Sequence, residues 1–71
     1  MNMAKQIYYH RQRRRHQCDT LLEAIVGPNL VAHWWQTPNQ AFDLNTPESV
    51  FDTNPDQVYN YLMQHAAGDY S

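Results

Sequence analysis

Four histidines, one cysteine and seven acids are the residues of this 71-residue chain with chemistry to offer. Their spacing does not gather them. His10 and His16 stand in a basic stretch, while His33 and His65 fall in separate segments. A zinc site needs Cys and His at short fixed steps, and that pattern is missing here. Cys18 has no second cysteine in the chain to pair with, and a lone thiol fits a reducing compartment better than a secreted one. No Ser/His/Asp set or pair of carboxylates is arranged for catalysis. Asp52 and Asp56 flank a joint and read as helix caps. So small a chain has little room for a shaped, water-excluding pocket. The expectation is a protein that is not an enzyme, with no catalytic residue, no metal and no cofactor.

Charge is the next informative feature. The formal net charge is −2, but the distribution is lopsided. Lys5, Arg11, Arg13, Arg14 and Arg15 make up the whole basic complement, and every acid lies from Asp19 onward. Such asymmetry often marks a basic arm on an acidic domain. Residues 1–18 read as that arm, disordered alone or helical when docked. Arginine binds phosphate and tyrosine stacks on bases, so Arg11, Arg13, Arg14 and Arg15 beside Tyr8 and Tyr9 suit a nucleic-acid or docking arm. A solvated tail, and an arm folded back on its own acidic domain, are the competing readings. With neither a transmembrane run nor a signal peptide in the pattern, no membrane association and a cytoplasmic location are expected.

The elements that position these residues are helices. Leu21, Leu22, Ile25 and Val26 repeat with helical spacing, giving a first helix over 19–26. Asp19 or Thr20 is its expected cap, and Gly27-Pro28 its stop. Leu30, Val31, Trp34 and Trp35 give a second helix over 29–36. Thr37-Pro38, Thr46-Pro47 and Asn54-Pro55 each place a capping side chain before a proline whose fixed φ suits a helix start. They predict a single turn carrying Ala41 and Phe42, a short helix with Val50 and Phe51 inward, and a last helix over 55–67. Along that helix Val58, Tyr61, Leu62, His65 and Ala66 share a face, and Gly68 is a natural stop. The fold class is all-α: a small bundle of short helices with a longer C-terminal helix, in one domain over 19–71. A core this small rarely supplies more than about 3–5 kcal/mol, so a partner or self-association is expected to add stability.

From Ile25 to Ser71 the order of motifs resembles the toxin-binding domain of the MbcA/ParS/Xre antitoxin family. The matching residues are Val26-Gly27, Trp34-Trp35-Gln36-Thr37-Pro38-Asn39, Ala41-Phe42, Thr46-Pro47, Asp52-Thr53, Leu62 and Gly68-Asp69-Tyr70-Ser71. The resemblance implies a compact helical unit that binds and silences a RES-type, NAD-degrading toxin by placing its C-terminal end at the active site. Carried over, that end is Gly68, Asp69, Tyr70 and Ser71. An acid, a terminal carboxylate and an aromatic ring would form a small anionic plug for arginines that hold dinucleotide phosphates. Three departures stand out. Asp43-Leu44 replaces a frequent Gly-Gly, Asn54-Pro55-Asp56-Gln57 replaces a pattern with an acid and glycine, and residues 1–18 are too short for the usual helix-turn-helix. The chain then reads as a stand-alone domain, bacterial or phage-encoded.

Each interface residue has a plainer alternative. Trp34 and Trp35 point about 100° apart on a helix. Trp34 is the expected core residue, and Trp35 is balanced between core and interface, where tryptophan anchors contacts. Tyr61 joins the core stripe; Tyr59 lies off it, either on the surface or against a partner. Tyr70 and Ser71 alone would read as an untethered end. The partner-binding set is therefore Trp35, Tyr59, Gly68, Asp69, Tyr70 and Ser71. A homo-oligomer is possible on this pattern. The competing functions are a small phage assembly adaptor and a nucleic-acid-binding regulator.

Overall fold

The computed structural model describes residues 3–66, with side chains from residue 9 onward. The fold is all-α. Helix α1 spans Met3–Val26, α2 Val31–Gln36, α3 Pro47–Thr53 and α4 Pro55–Ala66. Single 3-10 turns at Pro28–Leu30 and Gln40–Phe42 flank α2. No strand occurs among the described residues; one isolated bridge joins Asn39 to Asn45.

The C-terminal helix is longer than α2 and α3, as expected, but the N-terminal helix, expected only from residue 19, is longer still. The boundary expected at residue 18 falls inside α1, and Asp19 and Thr20 are interior residues rather than caps. Thr20 Oγ1 donates to the His16 carbonyl one turn back. The cause is docking: arginines at 11, 14 and 15 find acceptors on α3 and α4, which holds their backbone helical. Gly27 ends the helix as foreseen. Its φ of 88° lies where a side chain is disfavoured, and its N–H donates to the Glu23 carbonyl at 3.1 Å.

The three residue–proline pairs behave differently. Thr46 is a true N-cap, its hydroxyl accepting from the Ser49 N–H at 3.2 Å, with Pro47 at the first helical position. Thr37 instead closes α2, its hydroxyl donating to the His33 carbonyl at 2.7 Å. The cap of the following turn is Asn39, whose Oδ1 accepts from the Ala41 N–H at 2.8 Å. Asn54 is the joint between α3 and α4: its N–H donates to Val50, and its carbonyl accepts from Gln57.

The core draws on every helix: Cys18 and Leu22 from α1, Trp35 from α2, Phe42 from the second turn, Phe51 from α3, and Val58 and Leu62 from α4. Helices α1 and α4 run parallel, because their contacts advance together. Arg11 meets Asp52 just before α4, Arg14 meets Asp56, Leu21 lies near Met63, and Ala24 and Ile25 near His65 and Ala66. Ile25, His65 and Ala66, expected on apolar stripes, are exposed where the two helices come to their described ends.

The turn after Phe42 is strained. Asp43 and Leu44 both have positive φ, 58° and 67°. The left-handed region is tolerable for Asp and unfavourable for Leu. Asn39 enforces it: its carbonyl accepts from both Phe42 and Leu44 at 2.9 Å, and its N–H donates to Asn45 at 3.0 Å. Leu44 is 68% exposed, so its side chain returns little burial energy. Leu44→Gly is expected to raise stability by roughly 0.5–1 kcal/mol, by relieving left-handed strain. Chemical denaturation beside a Leu44→Ala control, which keeps the strain and gains nothing, checks this.

Candidate protein-interaction surface

The arginines that suggest an outward-facing arm lie largely on the protein itself. Arg15 is the centre of the arrangement. Its two terminal nitrogens donate to both carboxylate oxygens of Glu48, at 3.3 and 3.1 Å. Its guanidinium carbon stands 3.8 Å above the Trp35 ring and 5.7 Å from that of Phe51. The buried Arg15 Nε has no hydrogen bond and lies 3.8 Å from Asp19 Oδ1. That carboxylate oxygen already accepts from Trp35 Nε1 at 2.8 Å. Cation, indole and two acids thus form one connected unit, with Gln36 donating to Glu48 at its edge.

Arg14 repeats the motif one residue earlier on the neighbouring side of α1. Its Nε donates to Asp56 at 3.0 Å, its Nη1 to Gln17 at 2.8 Å, and its guanidinium carbon lies 4.1 Å from the Tyr59 ring centre. Arg11 Nη2 donates to the Asp52 carbonyl at 2.8 Å. His10 Nε2 approaches Asp56 at 3.8 Å. Arg13 is exposed on the outer face of α1. Three of the four arginines named from the sequence are therefore engaged within the molecule, the arrangement in which the arm folds back on its own acidic domain.

Trp35 is not an interface anchor. It is 2% exposed, covered by Arg15 and in edge contact with Phe51 at 5.5 Å. Trp34, the expected core member, is only half-buried; it stacks on Tyr61 at 6.4 Å and meets Phe42 edge-on at 6.5 Å. The exchange follows from hydrogen bonding: only the Trp35 indole N–H faces an acceptor, Asp19, so it is the one buried without cost. Tyr59 is half-buried beneath Arg14. Gly68, Asp69, Tyr70 and Ser71 lie outside the described residues.

Sequence reasoning missed a groove. Between α1 and α4, on the side away from Trp35, His16, Gln17, Thr20 and Leu21 face Tyr59 and Met63 across an open space of about 240 Å³. One helical turn further on, Ala24, Ile25, His65 and Ala66 line a second opening. Met63 is 43% and Ile25 39% exposed. The signal was present: Gln17, Leu21 and Ala24 share one edge of a helix, but the edge is visible only if residues 9–18 are read as helix too. Polar atoms are few in the groove, so it suits an apolar surface better than a small polar ligand.

No three His, Cys, Asp or Glu side chains converge as a metal site among the described residues. No described helix is long and apolar enough to cross a membrane. Burial, with the charge of Asp19 adding to it, pushes the Cys18 thiol up from 9.0 to about 11. A thiol held protonated is a poor nucleophile. No protein-family model, curated protein or solved structure matches the chain.

Arg15→Ala is expected to destabilise the fold by about 2 kcal/mol, since it strips the cover from Trp35 and leaves Glu48 without its cation. Arg15→Lys should recover less than half, because an ammonium cannot make the forked pair. Arg13→Ala, measured in the same urea titrations, should be neutral to the fold.

A second expectation concerns Cys18. The raised thiol favours the folded state fully below pH 9.0, and that contribution is lost as pH rises to about 11. At pH 8 a thiol reagent should label the native protein slowly and the urea-unfolded chain at once, as followed by absorbance.

Proposed function

We propose that this chain is an antitoxin-like binding module, not an enzyme, which silences a RES-type NAD-degrading partner with its C-terminal residues 68–71, in the cytoplasm. One observation supports the reading above others: the apolar motif residues Trp35, Phe42, Pro47 and Leu62 are buried together, while the polar ones, Gln36, Thr37, Asp52 and Thr53, lie exposed around them. Trp34 and Trp35, Phe42 and Leu62 pack together, and Thr46-Pro47 starts the helix that brings in Phe51. Helix α4 takes Leu62 into that core and leads in sequence to Gly68, Asp69, Tyr70 and Ser71. On this reading the helical unit is a rigid base, and Asp69 with Tyr70 supplies an acid and a ring to a cationic cleft.

The engaged state of Arg11, Arg14 and Arg15 weighs against a nucleic-acid role. A phosphate backbone would have to displace Asp56, Glu48 and the Trp35 and Tyr59 rings from them.

The test starts from the open reading frames beside this gene: where one encodes a RES-type enzyme, NAD loss is measured in its presence, and a neighbourhood without one counts against the reading. Full-length protein should stop turnover at equimolar amounts. Deleting residues 68–71 should leave the circular dichroism and melting curve in place and weaken inhibition by about 100-fold or more. Undiminished inhibition by the shortened chain would remove the tail from the mechanism; no effect of either form would remove the toxin.

A further inference from the structure

We infer that the joint at Gly27-Pro28 is a hinge through which α1 passes to a second copy of this chain, giving a two-fold dimer in which each α1 docks on the other copy's α2, α3 and α4. The inference is independent of the toxin reading. Helix α1 ends at Val26 and the next turn begins at Pro28, so a single residue separates them. Gly27 has φ 88° and ψ 154°, a region open almost only to glycine. A residue before proline favours negative φ with ψ of about 120–160°. The ψ of Gly27 already suits that state, and φ alone differs from it. Turning φ to its ordinary sign swings α1 away from the body. Pro28 keeps α1 from running on as one helix, since its ring would strike the carbonyl one turn back. Crowding does not select glycine here, because a Cβ at this position would meet no atom within 4 Å. The closed joint requires glycine through its torsion alone.

Side chains hold α1 to the body. Among the described residues, no backbone hydrogen bond joins α1 to α2, α3 or α4. The Gly27 N–H donates back to Glu23, so that bond travels with the helix. The contacts across the interface are directional: Arg14 pairs with Asp56 and Arg15 with Glu48, while Asp19 accepts from Trp35. A body that has released its α1 is therefore matched to one partner, the α1 of another copy. Exchange remakes each of these contacts, so they cancel between monomer and dimer. What remains is the joint, and the freedom lost when two chains associate. Glycine leaves the joint indifferent, since it takes either sign of φ. A helix docked on so short a tether has an effective concentration of roughly millimolar order, so exchange competes as the protein approaches that range.

Sedimentation equilibrium of the full chain from micromolar to about 1 mM reads the outcome. Wild-type protein should be monomeric at the low end, with dimers appearing toward the high end. Gly27→Ala strains the closed joint and leaves the open one at ease. Two joints per dimer, each worth about tenfold, should tighten dimerisation by roughly 100-fold. Three glycines inserted after residue 27 of that variant should return it to monomer, because the slack lets α1 dock at home. A second measurement separates exchange from ordinary surface association. In the Gly27→Ala background, Arg14→Glu and Asp56→Arg are placed on separate chains. Within either chain, like charges then face each other. In an exchanged heterodimer, one interface keeps Arg14 on Asp56 and the other carries both substitutions as an inverted pair. Native mass spectrometry of the mixture should show heterodimers in about tenfold excess over homodimers. Circular dichroism follows folding throughout. A wild-type chain without dimers at the top concentration overturns the inference. So does a Gly27→Ala chain that is unfolded at every concentration or no more dimeric than wild type. Dimers that survive the glycine insertion, or a mixture that pairs at random, overturn it as well.

Discussion

The structure turns on a cation held between an indole and two carboxylates. Arg15 covers Trp35, forks onto Glu48 and lies beside the Asp19 carboxylate that accepts the indole N–H. To bury a tryptophan to 2% exposure, its N–H must be satisfied and its broad face covered. Here both demands are met by side chains of α1. The clasp therefore joins α1, α2 and α3 at one point, and Phe51 completes it from α3. Apart from the i,i+4 pair of Arg15 and Asp19, its residues are far apart in sequence, so most of it has no local counterpart in the unfolded chain.

That clasp divides the surface of α1. One edge faces the acids and aromatic rings, the opposite edge forms the wall of the groove, and Cys18 and Leu22 lie between them in the core. The parallel course of α1 and α4 follows from the same docking. Arginines on successive turns of α1 meet Asp52 and then Asp56, which advance in the same direction. The basic stretch is thereby spent largely on self-recognition. Arg13, pointing away from these acids, is left to the solvent face together with Glu23.

The turn at Asp43 and Leu44 shows how far long-range constraint outweighs local preference. Phe42 is held in the core, and Asn39 ties the chain to Asn45 across the turn. With both ends fixed, the intervening residues must take positive φ whatever their type. Glycine would adopt these angles without strain; Asp43 and Leu44 adopt them at a cost.

The local features were legible from residue types alone. Gly27 as a helix stop, Thr46-Pro47 as a helix start, the all-α class and the inward positions of Phe51, Val58 and Leu62 all depend on interactions within a turn or two, or on apolar periodicity. For residues 9–18 the sequence left a choice between a disordered arm, a docked helix and an arm folded back on its own domain, because their helix is stabilised by acids more than thirty positions away and no apolar period announces it. The choice between Trp34 and Trp35 was equally invisible, since it rests on where Asp19 sits in space. Composition and neighbour chemistry settle what each segment prefers; only the assembled helices decide which charge finds a partner, which ring is covered and which edge remains open.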